Sequence, residues 1–315
     1  RLWRECDIVI SSERGDPRIR RRVDASRHTF YTSERWWKPP AGRARLLNPA
    51  LLKTYLGFRR LSASPFYHLM PIGVHAARDL SSPGGPGGQW LWGYFTESCG
   101  TTTGRNEAGP VSILSAGRLL VLKRPIDILR AFERLSSEGI DARLAFVGDG
   151  PELERLRARA ATISFPGSVS FSPSLPMREV WATMADSDIF VQASDGREGW
   201  GAVINEAMSC GCAIAASRQS GAAATMLRHG ENALLHNAGN WQGLADNLRA
   251  LCTDAALRRR LAAASRNDVE NLWSPKIAAE RLFELSTALV TGGTLPEYLS
   301  GPLSRPGVRT GLTPA

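Results

Sequence analysis

Residues 112–150 read SILSAGRLLVLKRPIDILRAFERLSSEGIDARLAFVGDG. Two short apolar, β-rich runs, SILSAG (112–117) and RLAFVGDG (143–150), bracket a segment of helical spacing. In that segment Ile128, Leu129, Phe132 and Leu135 fall on one face, and Gly139 follows as a C-terminal stop. Three more β-rich runs follow, SVSFS (168–172), IFVQAS (189–194) and CAIAAS (212–217), again with helical segments between them. Strands that are apolar throughout and alternate with helices require a parallel sheet covered on both faces. This half is predicted to be a doubly wound α/β domain. Beyond it, Leu244, Leu248 and Leu251 make a helical stripe, and Ser274-Pro275 is a cap followed by proline at the first helical position. After about Val290 the chain turns to Gly, Pro, Ser and Thr, so residues 291–315 are predicted to be a disordered tail.

The first hundred residues carry a weaker version of the same signal. CDIVIS (6–11), HTFYTS (28–33) and QWLWGYF (89–95) read as strands, HAARDL (75–80) as a short helix and SSPGGPGG (81–88) as a loop. The stretch 96–110 has linker composition, so the boundary falls there. The expected division is a partial Rossmann-like domain over 1–98, a linker over 99–110, a ligand-binding domain over 111–290 and the tail.

At 315 residues the chain has room for two ordinary domains, and no apolar run approaches the roughly 18 residues of a membrane span. No apolar signal segment opens the chain. Five scattered cysteines, with only a Cys210-x-Cys212 pair among them, lack the partners of a zinc shell and suit a reducing cytoplasm. The net charge of +9 lies entirely at the front: residues 1–60 hold 15 Lys+Arg against 6 Asp+Glu, and the remainder balances. That excess fits nucleic acid, anionic lipid, an acidic substrate or a plain solvated surface. YTSERWWKPP (31–40), with two tryptophans beside Arg35 and Lys38, suits an anionic membrane surface, core packing or an acceptor contact.

The chemistry gathers around REGWGAVINEAMSCG (197–211). A doubly wound sheet binds ligands where strands end and loops enter helices. IFVQAS is such a strand, DGREG its loop and Trp200–Ser209 the expected helix. Glu198 then stands at the helix mouth and Glu206 inside the helix, eight residues or about 12 Å further on at helical rise. Gly199 and Gly201 leave the backbone bare enough for N–H groups to approach a phosphate. Two carboxylates accept from hydroxyls, so a sugar–diphosphate–ribose ligand fits. A loop glutamate and a helix glutamate paired with a nearby arginine fit equally well at this point. Arg118 and Lys123 follow the domain's first strand, also at its C-terminal end, and suit phosphate oxygens. VGDGPE (147–152) is either a nucleobase edge contact or a tight strand-to-helix turn.

Taken in order, GR-x4-K (117–123), VGDGPE, E-x7-E (198–206) leading into NEAMSCG, and SGAAATMLRHGENALL (220–235) resemble the donor half of retaining glycosyltransferases of family four, the glycosyl transferases group 1 domain. The resemblance covers roughly residues 111–290. It implies the GT-B fold: a doubly wound parallel-sheet C-terminal domain behind a Rossmann-like N-terminal domain. It further implies a metal-independent enzyme, with no cofactor, that takes a nucleotide-diphospho-sugar as substrate and passes the sugar to a glycan or lipid-linked acceptor. Arg118 and Lys123, beside Gly117, would hold the diphosphate. Glu198 would contact the transferred sugar and Glu206 the ribose. Gly148, Gly199, Trp200, Gly201 and Val203 would line the donor. HAARDL followed by WLWGYFTE is similar to the end of the family's acceptor domain, whose glycine-rich opening units are not present. An N-terminally truncated chain is therefore expected, and SGAAAT lacks the acidic residue many members carry there.

Asp186-Ser187-Asp188 spells the metal-binding DxD of the other large glycosyltransferase fold, but it ends a helix and begins a strand, away from the inferred site. A turn-capping role is expected and no metal. Two other classes stay open: a non-catalytic nucleotide-sugar or nucleic-acid binding remnant, and a sugar-nucleotide epimerase. Against nucleic acid, the front cations are not interleaved with a recognisable reading module. The expected location is cytoplasmic, peripheral on the inner face of the membrane.

Overall fold

The computed structural model describes residues 5–13, 16–80, 88–100, 109–162 and 168–306. It divides into a front unit, Arg1–Tyr94 with Pro275–Ala315, and a second unit, Phe95–Ser274.

In the front unit β1 (Val9–Ser11), β2 (Thr29–Ser33) and β3 (Tyr67–Pro71) form a parallel sheet in that order. Helix α1 (Pro17–Asp24) starts where the Asp16 carboxylate accepts from Arg18 N–H, and α2 (Pro49–Ser62) where Asn48 accepts from Ala50 N–H. Each has proline in its first turn, where a missing N–H costs nothing. Helix α3 (Gly73–Leu80) follows β3. Strand β3 was not foreseen: YHLMP alternates neither in polarity nor in size, and its partner β2 is remote in sequence. QWLWGYF forms only isolated bridges, Leu69 to Gln89 and Ile72 to Trp92, rather than a strand.

The tryptophans of 31–40 turn inward. Trp36 is buried, with its ring 4.6 Å from that of Phe58, and Trp37 packs against Tyr55 at 5.7 Å. Lys38 and Arg35 are engaged by Glu34 at 3.0 Å and Asp79 at 3.6 Å. Of the alternatives for this segment, these contacts support core packing, with Trp36 buried and Trp37 half-buried. Arg22, from the basic run, is also structural: its buried guanidinium donates to the carbonyls of Cys6, Asp7 and His28.

The second unit opens with β4 (Val111–Ala116), a short 3-10 turn at Val121–Lys123 and α4 (Pro125–Ser137). Then come β5 (Ala142–Val147), α5 (Leu153–Ala160), β6 (Val169–Ser172), α6 (Met177–Ala185) and β7 (Ile189–Gln192). They are followed by α7 (Val203–Ser209), β8 (Ala213–Ser217), α8 (Gly221–Met226), β9 (Leu234–His236), α9 (Trp241–Thr253) and α10 (Ala255–Asn271). The six strands are all parallel, in the order β6-β5-β4-β7-β8-β9. Ile128, Leu129, Phe132 and Leu135 of α4 are buried against Ile113, Leu144, Phe146 and Ile189, as the spacing predicts. The order has one consequence for function. From β4 the chain steps outward through β5 to β6, then returns to the other side of β4 as β7. Loops leaving β4 and β7 therefore part in opposite directions and open a crevice at their C-terminal ends.

Helix α11 (Pro275–Thr291) corrects the expected boundary at 290. Its Leu282, Leu285 and Leu289 pack with Phe30, Met70 and Trp90, so it belongs to the front unit. The segment after it is not disordered through residue 306. Leu303 N–H donates to Leu91 O at 2.7 Å, Leu91 N–H donates to Ser304 O at 2.9 Å, and the Arg305 guanidinium lies 4.3 Å from the Trp90 ring centre. Glycine and proline content suggested disorder, but Leu295, Tyr298 and Leu303 anchor the segment to the front core. Most of the expected linker and loop (101–108, 81–87), the start at Arg1 and residues 307–315 lie outside the described residues.

Candidate functional site

The two loops at the switch point are tied together before any ligand is considered. Asp195 N–H, just after β7, donates to Leu122 O in the turn after β4 at 2.8 Å. On the other side, Gly117 and Leu119 N–H donate to Val147 O and Asp149 O after β5. Gly148 is required for that crossing: a Cβ there would stand 2.2 Å from Gly117 O. Its φ of 135° disfavours a side chain as well. Packing therefore accounts for Gly148, and VGDG is a tight turn. At Gly117 itself, φ 134°, a Cβ would meet nothing within 4 Å, so the backbone faces open space.

Across this crossing Lys123 Nζ meets the carboxylate of Glu198, which also accepts from Ser194 Oγ at 3.3 Å. Arg118, on the same loop as Lys123, is exposed and has no ion-pair partner among the described residues. The helix after β7 is shorter than expected and starts at Val203, so the straight-helix spacing of about 12 Å between Glu198 and Glu206 does not apply. Glu206 lies in the first turn of α7 and is buried, with no ion-pair partner among the described residues. Burial raises its pKa above the ordinary carboxyl value. Lys123 and Glu198 are thus brought into contact, while no contact joins Arg118 or Glu206 to them among the described residues.

Trp200 enters the core. Its side chain is buried, donates through Nε1 to Asn205 Oδ1 at 3.0 Å and lies 6.1 Å from the Trp273 ring. Only its backbone remains near the loop, and its carbonyl accepts from Ala222 N–H at 2.8 Å. Gly199 is held equally close, since a Cβ on Gly221 would stand 2.1 Å from Gly199 O. The start of α8 therefore presses directly on the loop that carries Glu198. The N–H groups of Gly199, Gly201 and Ala202 donate to no acceptor among the described residues. Val203, half-buried, opens α7.

A model of the family described as glycosyl transferases group 1 matches residues 104–268, just over half the chain. The chain belongs to that family. It is 31% identical over 160 residues to the N-acetyl-alpha-D-glucosaminyl L-malate synthase of Bacillus anthracis, covering 50% of this chain and 41% of that one. It is 28% identical over 179 residues to a GDP-mannose-dependent alpha-(1-6)-phosphatidylinositol monomannoside mannosyltransferase of Mycolicibacterium smegmatis, covering 55% and 47%. The chain spans less than half the length of these two curated relatives. Among solved structures, Anabaena Alr3699/HepE in complex with UDP superposes with a TM-score of 0.71 at 16% identity, covering 90% of this chain and 79% of that one. A glycosyltransferase from Rickettsia africae gives 0.71 at 14%, covering 91% and 78%. At such identities the likeness shows the fold, and the fold is GT-B.

Within this group 1 chain, one side chain at the crevice had no signal in the sequence. Gln192, the last residue of β7, is only 5% exposed, and neither its Nε2 nor its Oε1 has a hydrogen-bond partner among the described residues. A Cβ on Gly201 would stand 2.5 Å from Gln192 Nε2 and 3.5 Å from Glu198 Cγ. The orphaned amide, the bare backbone and the glutamate thus share one spot. Ser220 Oγ, buried at the start of α8, is likewise unpartnered among the described residues. In the sequence both residues read only as a strand end and a turn.

The DxD segment is structural. Asp188 Oδ2 accepts from Ser112 N–H at 2.9 Å and from Ser112 Oγ at 2.8 Å, tying the starts of β7 and β4. No cluster of three metal-ligating side chains occurs among the described residues.

Proposed function

We propose that the second unit binds a nucleotide-diphospho-sugar and that the protein transfers the sugar with retention of anomeric configuration. The contact of Lys123 with Glu198 at the switch point, directly beside the unsatisfied Gln192 amide, carries this reading. A group 1 relative uses a GDP-mannose donor and a structural neighbour was solved with UDP, which supports a nucleoside diphosphate moiety. Arg118 and Lys123, with the N–H groups of Gly199, Gly201 and Ala202, take the diphosphate. Glu198 and Gln192 take hydroxyls of the sugar, and Glu206 takes the ribose.

In the resting protein Lys123 and Glu198 neutralise each other. A donor separates them, so that the ammonium meets phosphate oxygens and the carboxylate meets the sugar. As the bond from the anomeric carbon to the diphosphate breaks, the electron pair leaves with the phosphate, where Lys123 and Arg118 offset the growing charge. The acceptor oxygen then bonds to the anomeric carbon on the face the phosphate left, and its proton passes to the departing diphosphate. The acceptor is a glycan or lipid-linked chain, and the protein works on the cytoplasmic side, peripheral to the inner face of an anionic membrane. Titration calorimetry with UDP, GDP and their sugar conjugates tests the donor, and NMR of the product anomer tests retention. Binding without turnover on any glycan or lipid-linked acceptor would leave a non-catalytic nucleotide-sugar binder instead.

Glu206→Gln separates the ribose role from a structural one. A lost carboxylate–hydroxyl bond should weaken UDP several-fold, or about 1 kcal/mol, and leave the 2′-deoxy analogue nearly unaffected. Stability should move the other way. A buried acid with a raised pKa holds its proton more firmly folded than unfolded, so stability is fully present below the unfolded value. It falls as pH rises through the raised one. Glu206→Gln should therefore melt higher than the wild type at neutral pH, with the difference vanishing in acid. Equal losses for UDP and its deoxy analogue would remove the ribose assignment.

A further inference from the structure

The front charge has one outlet that the donor site does not absorb. Residues 41–62 contain Arg43, Arg45, Lys53, Arg59 and Arg60 and no acidic residue. All five cations are exposed, and none has an ion-pair partner among the described residues. The same stretch exposes Leu47 by 86%, Leu56 by 48%, Leu51 by 41% and Leu52 by 40%. In α2 only Phe58 and Ser62 are buried. Leu56 is two positions from Phe58, about 200° around the helix, so it points directly away from the core. Leu52 and Arg60 stand one turn before and after Leu56 on that outward face. An open groove of about 940 Å³ is lined by residues of α1 and α2, Leu52, Lys53, Leu56 and Arg60 among them at its rim. Tyr31, Phe58 and Tyr67 also line it, together with Asp16, Arg20 and Asp24 from the α1 side.

We infer that Leu47 and the outward face of α2 dock the protein on an anionic phospholipid bilayer, leucines in the acyl boundary and cations on the headgroups. Leucines bordered by Lys and Arg without acids within 41–62 are the makeup of an interfacial helix. A second copy of this chain fits poorly, because it would bring the same five cations against themselves. The inference deepens the membrane reading above and rests on it, but it moves the contact from Trp36 and Trp37 to α2. It does not depend on the donor site.

The test is cosedimentation of the protein with vesicles of phosphatidylcholine alone and with roughly a third phosphatidylglycerol, at low and high salt. The protein should pellet with anionic vesicles, far less with neutral ones, and less at high salt. Leu52→Ser with Leu56→Ser should reduce partitioning roughly tenfold. Lys53→Gln with Arg60→Gln should weaken the preference for anionic lipid and its salt dependence, with Arg43, Arg45 and Arg59 retaining the rest. These side chains are exposed, so an unchanged melting temperature and unchanged UDP binding are expected and separate this result from any failure of the donor assignment. Equal recovery in the supernatant with and without anionic vesicles would overturn the inference. So would unchanged partitioning of the leucine variant, or wild-type self-association by light scattering that the leucine variant abolishes.

Discussion

Arg118→Ala combined with Lys123→Ala should lower affinity for UDP or GDP by a hundredfold or more while leaving the weak binding of the bare nucleoside unchanged. Each hydrogen bond from a cation to phosphate contributes about 1.5–3 kcal/mol, and two of them account for that loss. The single variants should not be equal. Lys123 must leave Glu198 before it can meet a phosphate, so part of its new interaction only replaces the old one. Arg118 has no such partner to give up among the described residues. Arg118→Ala should therefore lose more diphosphate affinity than Lys123→Ala. Lys123→Ala carries a different penalty, because it strips the cation from a mostly buried Glu198 carboxylate that then keeps, among the described residues, the Ser194 hydroxyl. It should melt lower than the wild type, whereas Arg118→Ala should not. Calorimetry with UDP, GDP and uridine, together with thermal melts of both single variants, checks this ordering. Unchanged UDP and GDP affinity in the double variant would end the phosphate assignment.

The second unit was legible because its signal is local. An apolar strand, a glycine turn and an amphipathic helix repeat within short spans, and the parallel order then places the loops after β4 and β7 side by side. That is why Lys123 and Glu198, 75 positions apart, could be expected at one crevice, and they are in contact. What was not legible depends on distant partners. Ser274-Pro275 marks a helix start in the sequence, but nothing local says that Leu282, Leu285 and Leu289 of α11 pack with Phe30 and Met70 rather than with the domain they follow. The same applies to Leu303, an isolated leucine among prolines and glycines that reaches Leu91. Trp36 and Trp37 left a membrane surface, core packing and an acceptor contact open, because adjacent cations are visible in sequence whereas the packing of Phe58 and Tyr55 against them is not. Gln192 was hidden for a further reason. Its oddity is an absence, two buried polar atoms without partners among the described residues, which no sequence pattern displays.

That absence makes Gln192→Met the variant for which stability and function should move in opposite directions. Methionine keeps the length and much of the volume of glutamine, so the end of β7 repacks with little strain. A buried amide with neither atom bonded costs about 1–3 kcal/mol, and an apolar replacement of similar shape removes that cost. The variant should therefore melt several degrees above the wild type. If the amide is held unsatisfied because a sugar hydroxyl completes it, the same change should lower affinity for the nucleotide-sugar roughly tenfold or more, with UDP or GDP alone bound as before. Comparing the conjugate with the bare diphosphate isolates the sugar contact, since Arg118 and Lys123 serve both ligands equally. A melting temperature that rises with no change in conjugate affinity would leave Gln192 a packing defect with no part in recognition. A melting temperature that falls would mean the amide is satisfied in solution, by water or a neighbour, and the basis for placing the sugar beside Glu198 would be lost.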